Sequence, residues 1–264
     1  MFKVTIAVCA HRDIKAEVFK TLWLMKQCPN FEVNVKIQDG DALISRSRSL
    51  VATYFIEKTK DDILFFIDDD INISTFDMSK LITMAYEMKL PIVGAAYTTK
   101  SKNNPGLAVR PLQQGKLEFG KKGKVYEMRS VSTGCMAIKR EVFEKMIEKE
   151  TIHYCRHGNH QYYPFFQHRE GQIDGLWEDL SEDWWFCEKA RELGFNIYCD
   201  TTIKTGHIGP YEFTWDDIIE TKNKMRKQYD SPIFTVGEEK VPDFRDSLKR
   251  AFGMTSPKAE ALTS

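Results

Sequence analysis

Apolar positions along the first part of the chain alternate between short continuous runs and helical stripes. Residues 4–9 form a short apolar run that ends in the polar turn Ala10-His11-Arg12-Asp13. Ile14, Val18, Leu22 and Met25 then recur at helical spacing, and residues 31–37 alternate as a strand does. Residues 42–57 predict a second helix, with Leu43, Leu50, Val51, Tyr54 and Phe55 on one side. Ile63-Leu64-Phe65-Phe66-Ile67 is continuously apolar, which predicts a strand buried on both faces. A third helix is predicted over 77–89 through Met78, Leu81, Ile82 and Ala85, and a fourth strand over 90–95. This βαβαβαβ order predicts an α/β fold with a parallel sheet wrapped by helices.

The pattern changes after residue 98. Residues 99–127 are rich in Gly and Lys with short β segments, which predicts a hairpin region. Residues 129–139 read as one longer strand and 141–148 as a short helix. Residues 151–180 are irregular and aromatic. A helix follows over 181–193, a strand over 195–199 and a helix over 214–228. With no repeat and no low-complexity linker, residues 1–254 read as a single domain in two halves, 1–98 and 99–230. The small polar residues 255–264 read as a flexible tail.

Composition narrows the class. Apolar residues make up 42% of the 264 and charged residues 29%, as in an ordinary globular protein. The formal net charge is zero, so no bulk field draws the whole protein to nucleic acid or membrane. No apolar run approaches the ~20 residues that span a bilayer, and Met1-Phe2-Lys3 lacks the layout of a secretory signal. Cys9, Cys28, Cys135, Cys155, Cys187 and Cys199 are scattered without a CxxC, as reduced core thiols are. A cytoplasmic protein without disulfides is expected.

The strongest chemical signal is Asp68-Asp69-Asp70, directly after the buried strand. Ligands of α/β sheets bind beyond the C-terminal strand ends. Three adjacent carboxylates repel one another unless a cation or hydrogen-bond donors compensate. Asp68 and Asp70 point the same way if the strand continues, and such oxygen ligands suit Mg²⁺ or Mn²⁺ shared with phosphates. An acidic turn capping the next helix is the alternative, and a phosphatase-like fold also places an Asp at a strand end.

Ser181-Glu182-Asp183 is the second signal. Ser181 is a good N-cap, and acids in a first turn complement the helix dipole. Yet Asp183, Phe186, Cys187, Ala190 and Leu193 share one stripe, so Asp183 heads the apolar face while Glu182 lies off it. A carboxylate so placed is a candidate general base. His207 stands between glycines after a strand and is a candidate metal ligand. Arg46 and Arg48 open the second helix, where guanidinium groups can bind phosphate; a solvated basic turn is the alternative. The spacing of Cys155, His157, His160 and His168 matches no standard zinc pattern, and a substrate-facing loop is expected there. Trp177, Trp184 and Trp185 either stack on a sugar ring or pack in the core.

Taken together, LFFIDDD, STGCMAIKREVF, SEDWWFCEKARELGF and IKTGHIG, after a βαβ start and an Arg-Ser helix, resemble GT-A fold glycosyltransferases, close to family-2-like and viral or phage members, over roughly residues 3–210. The resemblance implies a nucleotide-sugar-binding half at 1–98 and an acceptor half after it. It implies that Asp68 and Asp70 bind Mn²⁺ or Mg²⁺ with the donor diphosphate, flanked by Asp69, and that His207 adds a ligand. It implies Asp183, with Glu182 beside it, as the catalytic acid pair of an inverting enzyme. Cys9, Ala10 and His11 would contact the nucleoside, Asp39 the nucleobase, and Arg46 or Arg48 the base or phosphates.

The expected reaction is sugar transfer from a nucleotide-sugar, with a UDP-sugar favoured, to an acceptor hydroxyl on a glycan, a protein, a lipid-linked sugar or a modified DNA base. The expected setting is the cytoplasm, a host's if the protein is viral. A retaining enzyme of the same fold is one rival. A nucleotidyltransferase is another, but it should carry a Gly-rich basic loop after its first strand, and Ala10-His11-Arg12-Asp13 is not one. A carbohydrate-binding module would have no need of the acidic strand end.

Overall fold

The computed structural model describes residues 1–102, 105–113 and 115–218. The first part of the chain follows the predicted alternation: β1 (Lys3–Ala10), α1 (Ala16–Met25), β2 (Glu32–Asp39), α2 (Ile44–Lys58), β3 (Ile63–Asp68), a short β4 (Ile71–Asn72), α3 (Thr75–Glu87) and β5 (Ile92–Gly94). The second part holds β6 (Val109–Pro111), one 3-10 turn (Gly120–Lys122), β7 (Val125–Val131), β8 (Cys135–Lys139) and α4 (Arg140–Glu148). Two hairpins follow, β9 (Cys155–His157) with β10 (His160–Tyr162) and β11 (Arg169–Ile173) with β12 (Leu176–Leu180). The described chain ends with α5 (Glu182–Glu192), β13 (Ile197–Asp200), β14 (Gly206–Ile208) and β15 (Glu212–Phe213). Most of the helix expected over 214–228, the domain end at 254 and the tail 255–264 lie outside the described residues.

Eight strands form one sheet in the order β2-β1-β3-β8-β5-β13-β7-β6. β1 is parallel to β2 and β3, and β13 to β5. β8 runs antiparallel between β3 and β5, and β7 antiparallel between β13 and β6. So β7 and β8 oppose the other six strands, and β8 stands between β3 and β5. The single strand expected over 129–139 is two strands in different places. The break falls at Ser132-Thr133-Gly134, between the partly exposed β7 and the buried β8. Gly134 is required there: a Cβ on it would lie 2.6 Å from the Tyr97 hydroxyl and 2.7 Å from Asp68 Oδ2.

The buried run of β3 explains the layering. Leu64 and Phe66 face one apolar layer with Phe55, Phe143 and Phe186 from α2, α4 and α5. Ile63, Phe65 and Ile67 face the other, with Val18 and Leu22 of α1 and Met78 and Leu81 of α3. A strand with helices on both faces must be apolar at every position. Ser74 caps α3 by accepting from the Asp77 amide at 3.0 Å. All six cysteines are free thiols, with Cys155 exposed. Among the described residues no helix is long and apolar enough to cross a membrane.

The far end of β13 is fixed by a buried charge pair. Asp200 is fully buried and its Oδ2 lies 2.5 Å from Lys80 Nζ of α3. Its Oδ1 accepts from the Thr202 amide at 2.9 Å and the Thr202 hydroxyl at 2.7 Å. Removing one member of such a pair strands the other charge, at about 3–5 kcal/mol. Asp200→Ala should therefore lose about 3 kcal/mol or more of unfolding free energy in a urea titration, and a change under about 1 kcal/mol would contradict this account.

Candidate active site

The C-terminal ends of β1 and β3 and the start of α2 surround an open cleft of about 240 Å³. Cys9, Ala10 and His11 form one wall, Asp41, Ala42, Ile44, Ser47 and Arg48 a second, and Asp68, Asp69, Asp70 and His207 the floor. Three strand-terminal segments meet here because β1, β2 and β3 are parallel and in register, with Cys9 beside both Gln38 and Asp68.

Arg48 organises the cleft. It is buried to 4% exposure, one turn into α2. Its Nη2 donates to Asp68 Oδ1 at 2.8 Å, and its Nη1 donates to Glu182 Oε1 at the head of α5. Burial works against the guanidinium charge, but Asp68, Glu182 and Asp183 outweigh it and raise its pKa. Glu182 shows the reciprocal balance: burial pushes its carboxyl above the usual range, and Arg48 only partly restrains it. Glu182, expected off to the side of its helix face, is thus a direct partner of the cleft arginine. The reason is the neighbouring element: a guanidinium buried by α2 needs a second carboxylate, and α5 supplies it.

Asp70 belongs to a second cluster. Lys100 Nζ donates to its Oδ2, and His207 Nε2 lies 3.3 Å from its Oδ1. His207 arrives there because β14 pairs with β4, placing it opposite Ile71, and because the Ile208 amide donates to the Asp70 carbonyl at 2.8 Å. The other ring nitrogen, Nδ1, sits 2.6 Å from the Thr98 carbonyl. A carbonyl oxygen can only accept, so Nδ1 carries a proton and donates to it. Burial pushes Asp70 up, but the His207 and Lys100 contacts prevail and hold its carboxyl below the ordinary range. Asp69 is raised, first by burial and then by Asp70 and Asp68, although it accepts from the His11 amide. Burial pushes the Cys9 thiol up to about 11, which keeps it neutral.

Asp183 is buried to 7% exposure at the head of the stripe through Phe186, Cys187 and Ala190. Its Oδ1 accepts from the Ser181 hydroxyl and from the Trp184 amide at 2.8 Å. Ser181 therefore does not cap α5 with its side chain, as its sequence position predicts; its hydroxyl is spent on Asp183. Asp183 Oδ2 has no hydrogen-bond partner among the described residues.

The other candidates separate. Asp39 is exposed at the end of β2 and does not line the cleft; Asp41, beyond the left-handed Gly40 (φ 75°), does. Arg46 forks onto Asp41 at 2.6 and 2.7 Å and reaches His157 at 3.0 Å, so Arg48 alone of the two faces the cleft floor. Among the described residues no three His, Cys, Asp or Glu side chains converge as the ligand set of an ion. What converges is the pair Asp70 and His207, while Asp68 is turned to Arg48. The three tryptophans do not form one platform: Trp185 is in the core, Trp184 packs against it and Trp177 is 70% exposed. Sequence reasoning missed Lys100 and Tyr97. Tyr97 is buried against Asp68 and Gly134, and nothing in the pattern after β5 marks either.

No family model and no curated protein matches the chain. Its fold nevertheless belongs to the GT-A type of mixed α/β architecture. Among solved structures it is similar to A197 from STIV, at a TM-score of 0.51 and 17% identity over 79% of this chain and 86% of that one. TarS 1-349 from S. aureus in complex with UDP-GlcNAc is more distant, at a TM-score of 0.39 and 11% identity over 76% of this chain and 56% of that one.

The raised Asp69 carboxyl has a measurable consequence. A carboxyl whose folded pKa exceeds its unfolded value is disfavoured as a charge in the folded state, so its ionisation destabilises the fold at neutral pH. The penalty fades as pH falls through the folded pKa. Asp69→Asn should melt higher than wild type at pH 7, with the difference shrinking on acidification and vanishing below the ordinary carboxylate range. A variant that melts lower at pH 7 would contradict the repulsion described here.

Proposed function

We propose that the protein is a glycosyltransferase that moves a sugar from a nucleotide-sugar, with a UDP-sugar as the first choice, to an acceptor hydroxyl with inversion. One observation carries the reading: Arg48, which lines the cleft, ties the acidic end of β3 to Glu182 at the head of α5, next to Asp183 in the chain. The wall Cys9-Ala10-His11 and Asp41 offers the nucleoside a seat, and the diphosphate lies over Asp70. Asp183 is the base. Its Oδ1 is held by Ser181 and Trp184, which leaves Oδ2 to take the acceptor proton. The acceptor oxygen then bonds to the sugar's anomeric carbon as the bond to the diphosphate breaks, through an oxocarbenium-like transition state.

The cleft's charge balance fits a cation. Asp68, Asp69, Asp70, Glu182 and Asp183 are five carboxyl groups beside two basic side chains, Arg48 and Lys100. Asp70 and His207 Nε2 are a donor pair suited to Mn²⁺, or to Mg²⁺ through Asp70, with Asp68 at the edge and phosphate oxygens completing the shell. Such an ion would neutralise charge on the leaving diphosphate. Lys100 is the residue that compensates Asp70 when no ion is bound.

Two experiments test the reading. Calorimetry of UDP binding should show Mn²⁺ strengthening the affinity at least tenfold in wild type and little in Asp70→Asn. Equal affinity in Mn²⁺ and in EDTA would remove the metal from the account. Asp183→Asn should melt near wild type and bind UDP normally, yet lose transfer by ~10²–10⁴, the usual contribution of a general base. Near-wild-type turnover at saturating acceptor would exclude Asp183 as the base and favour a retaining route.

A further inference from the structure

The hairpin that leads into α5 carries an unassigned face. β11 and β12 turn at Asp174 and Gly175, both left-handed with φ of 50° and 84°. Gln172 stands opposite Trp177, and Glu170 opposite Asp179. Facing residues of an antiparallel pair project to the same side, so these four share one face.

The opposite face anchors the hairpin to the body. Ile173 and Leu180 are buried there, and Arg110 forks onto Glu178, with Nη2 at 2.7 Å from Oε1. At the turn, Arg129 reaches Asp174 at 3.3 Å while holding Glu188 of α5 at 2.7 Å. The first face is therefore held out to solvent by a fixed frame, with Trp177 at 70% exposure.

We propose that this face is a subsite for a neutral carbohydrate, and that it holds the acceptor glycan of the transfer; the second part rests on the glycosyltransferase reading. The chemistry on the face selects this ligand. An indole offers a flat apolar surface to the C–H face of a sugar ring. The amide of Gln172 and the carboxylates of Glu170 and Asp179 bond hydroxyls as acceptors, and the amide also donates. The same carboxylates repel a phosphate polyanion, so duplex DNA is disfavoured. Of the basic side chains beside them, His168 is taken up by Asp179 at 2.8 Å, and Arg169 stands opposite Leu180 on the other face. The site also points at the chemistry: from Trp177 the strand runs roughly 10 Å to Leu180, and Ser181, Glu182 and Asp183 follow directly.

The test is binding, with activity as a second reading. Neutral malto-, cello-, manno-, xylo- and chito-oligosaccharides are titrated against the full chain, following tryptophan fluorescence and calorimetry. At least one series should bind wild type, and Trp177→Ala and Gln172→Ala should each weaken it, the first at least tenfold, with UDP affinity unchanged. Trp177 is exposed, so its variant should keep the wild-type melting profile. The proposal is overturned if no series binds wild type at millimolar concentration, if Trp177→Ala binds equally, or if duplex DNA is the ligand that Trp177→Ala loses. It is equally overturned if Trp177 instead supports self-association in the ultracentrifuge with no glycan bound. Failure of the glycosyltransferase reading looks different: UDP binds neither with nor without Mn²⁺, while the oligosaccharide still binds and still depends on Trp177.

Discussion

A buried guanidinium cannot stand alone, and the architecture of the cleft follows from that constraint. Arg48 is enclosed by α2 and the sheet, where an uncompensated charge is held at a penalty of several kcal/mol. Two carboxylates answer it, one from the end of β3 and one from the head of α5. Those elements are 114 positions apart in the chain, counting from Asp68 to Glu182 (182 − 68). The pairing does more than neutralise charge. It fixes where α5 begins relative to the sheet, and so where Asp183 is presented. It also draws Asp68 inward, leaving Asp70 as the strand-end acid that faces His207 and Lys100.

The division of labour among three adjacent aspartates is thus set by partners. Asp68 is committed to Arg48, Asp70 contacts a cation and an imidazole, and Asp69 has the His11 amide and the charge of Lys100 against burial and two like charges. Identical side chains one residue apart are driven in opposite directions, Asp70 below and Asp69 above the ordinary range. The cleft is therefore polarised along the strand end, with a readily ionised carboxyl, Asp70, next to the His207 imidazole.

The parts legible in the sequence were those governed by period and composition. The buried run at 63–67 and the stripes of α1 to α3 follow directly from burial, and the acidic strand end is visible because Asp68-Asp69-Asp70 abuts that run. The stripe through Asp183, Phe186 and Ala190 placed the carboxylate on the inner face of α5, where it lies. What stayed hidden depends on long-range pairing. The break at 132–134 separates β7 from β8, and it shows only in their different neighbours, β13 for the one and β3 for the other. Ser181 has the residue type of a cap, but Asp183 competes for its hydroxyl. Arg46 and Arg48 sit in near-identical Ser-Arg contexts, and Asp41 decides which one is withheld from the floor. Lys100 follows an unremarkable turn, and only the fold brings it to Asp70.

The antiparallel position of β8 between β3 and β5 also governs the order in which the fold can be completed during synthesis. β3 and β5 are both made before residue 95, yet neither has a hydrogen-bonded neighbour on the shared side until residues 135–139 arrive. On the ribosome the emerging chain can assemble β2, β1 and β3 with their helices, but one edge of β3 and both edges of β5 stay unpaired while some forty further residues are added. Open edges of this kind invite pairing with other chains. The stretch between β5 and β8, which brings Lys100 to Asp70 and Tyr97 to Asp68, is therefore also an interval of exposure to misassembly. Its length sets a lower limit on how long a nascent-chain chaperone would have to shield those edges.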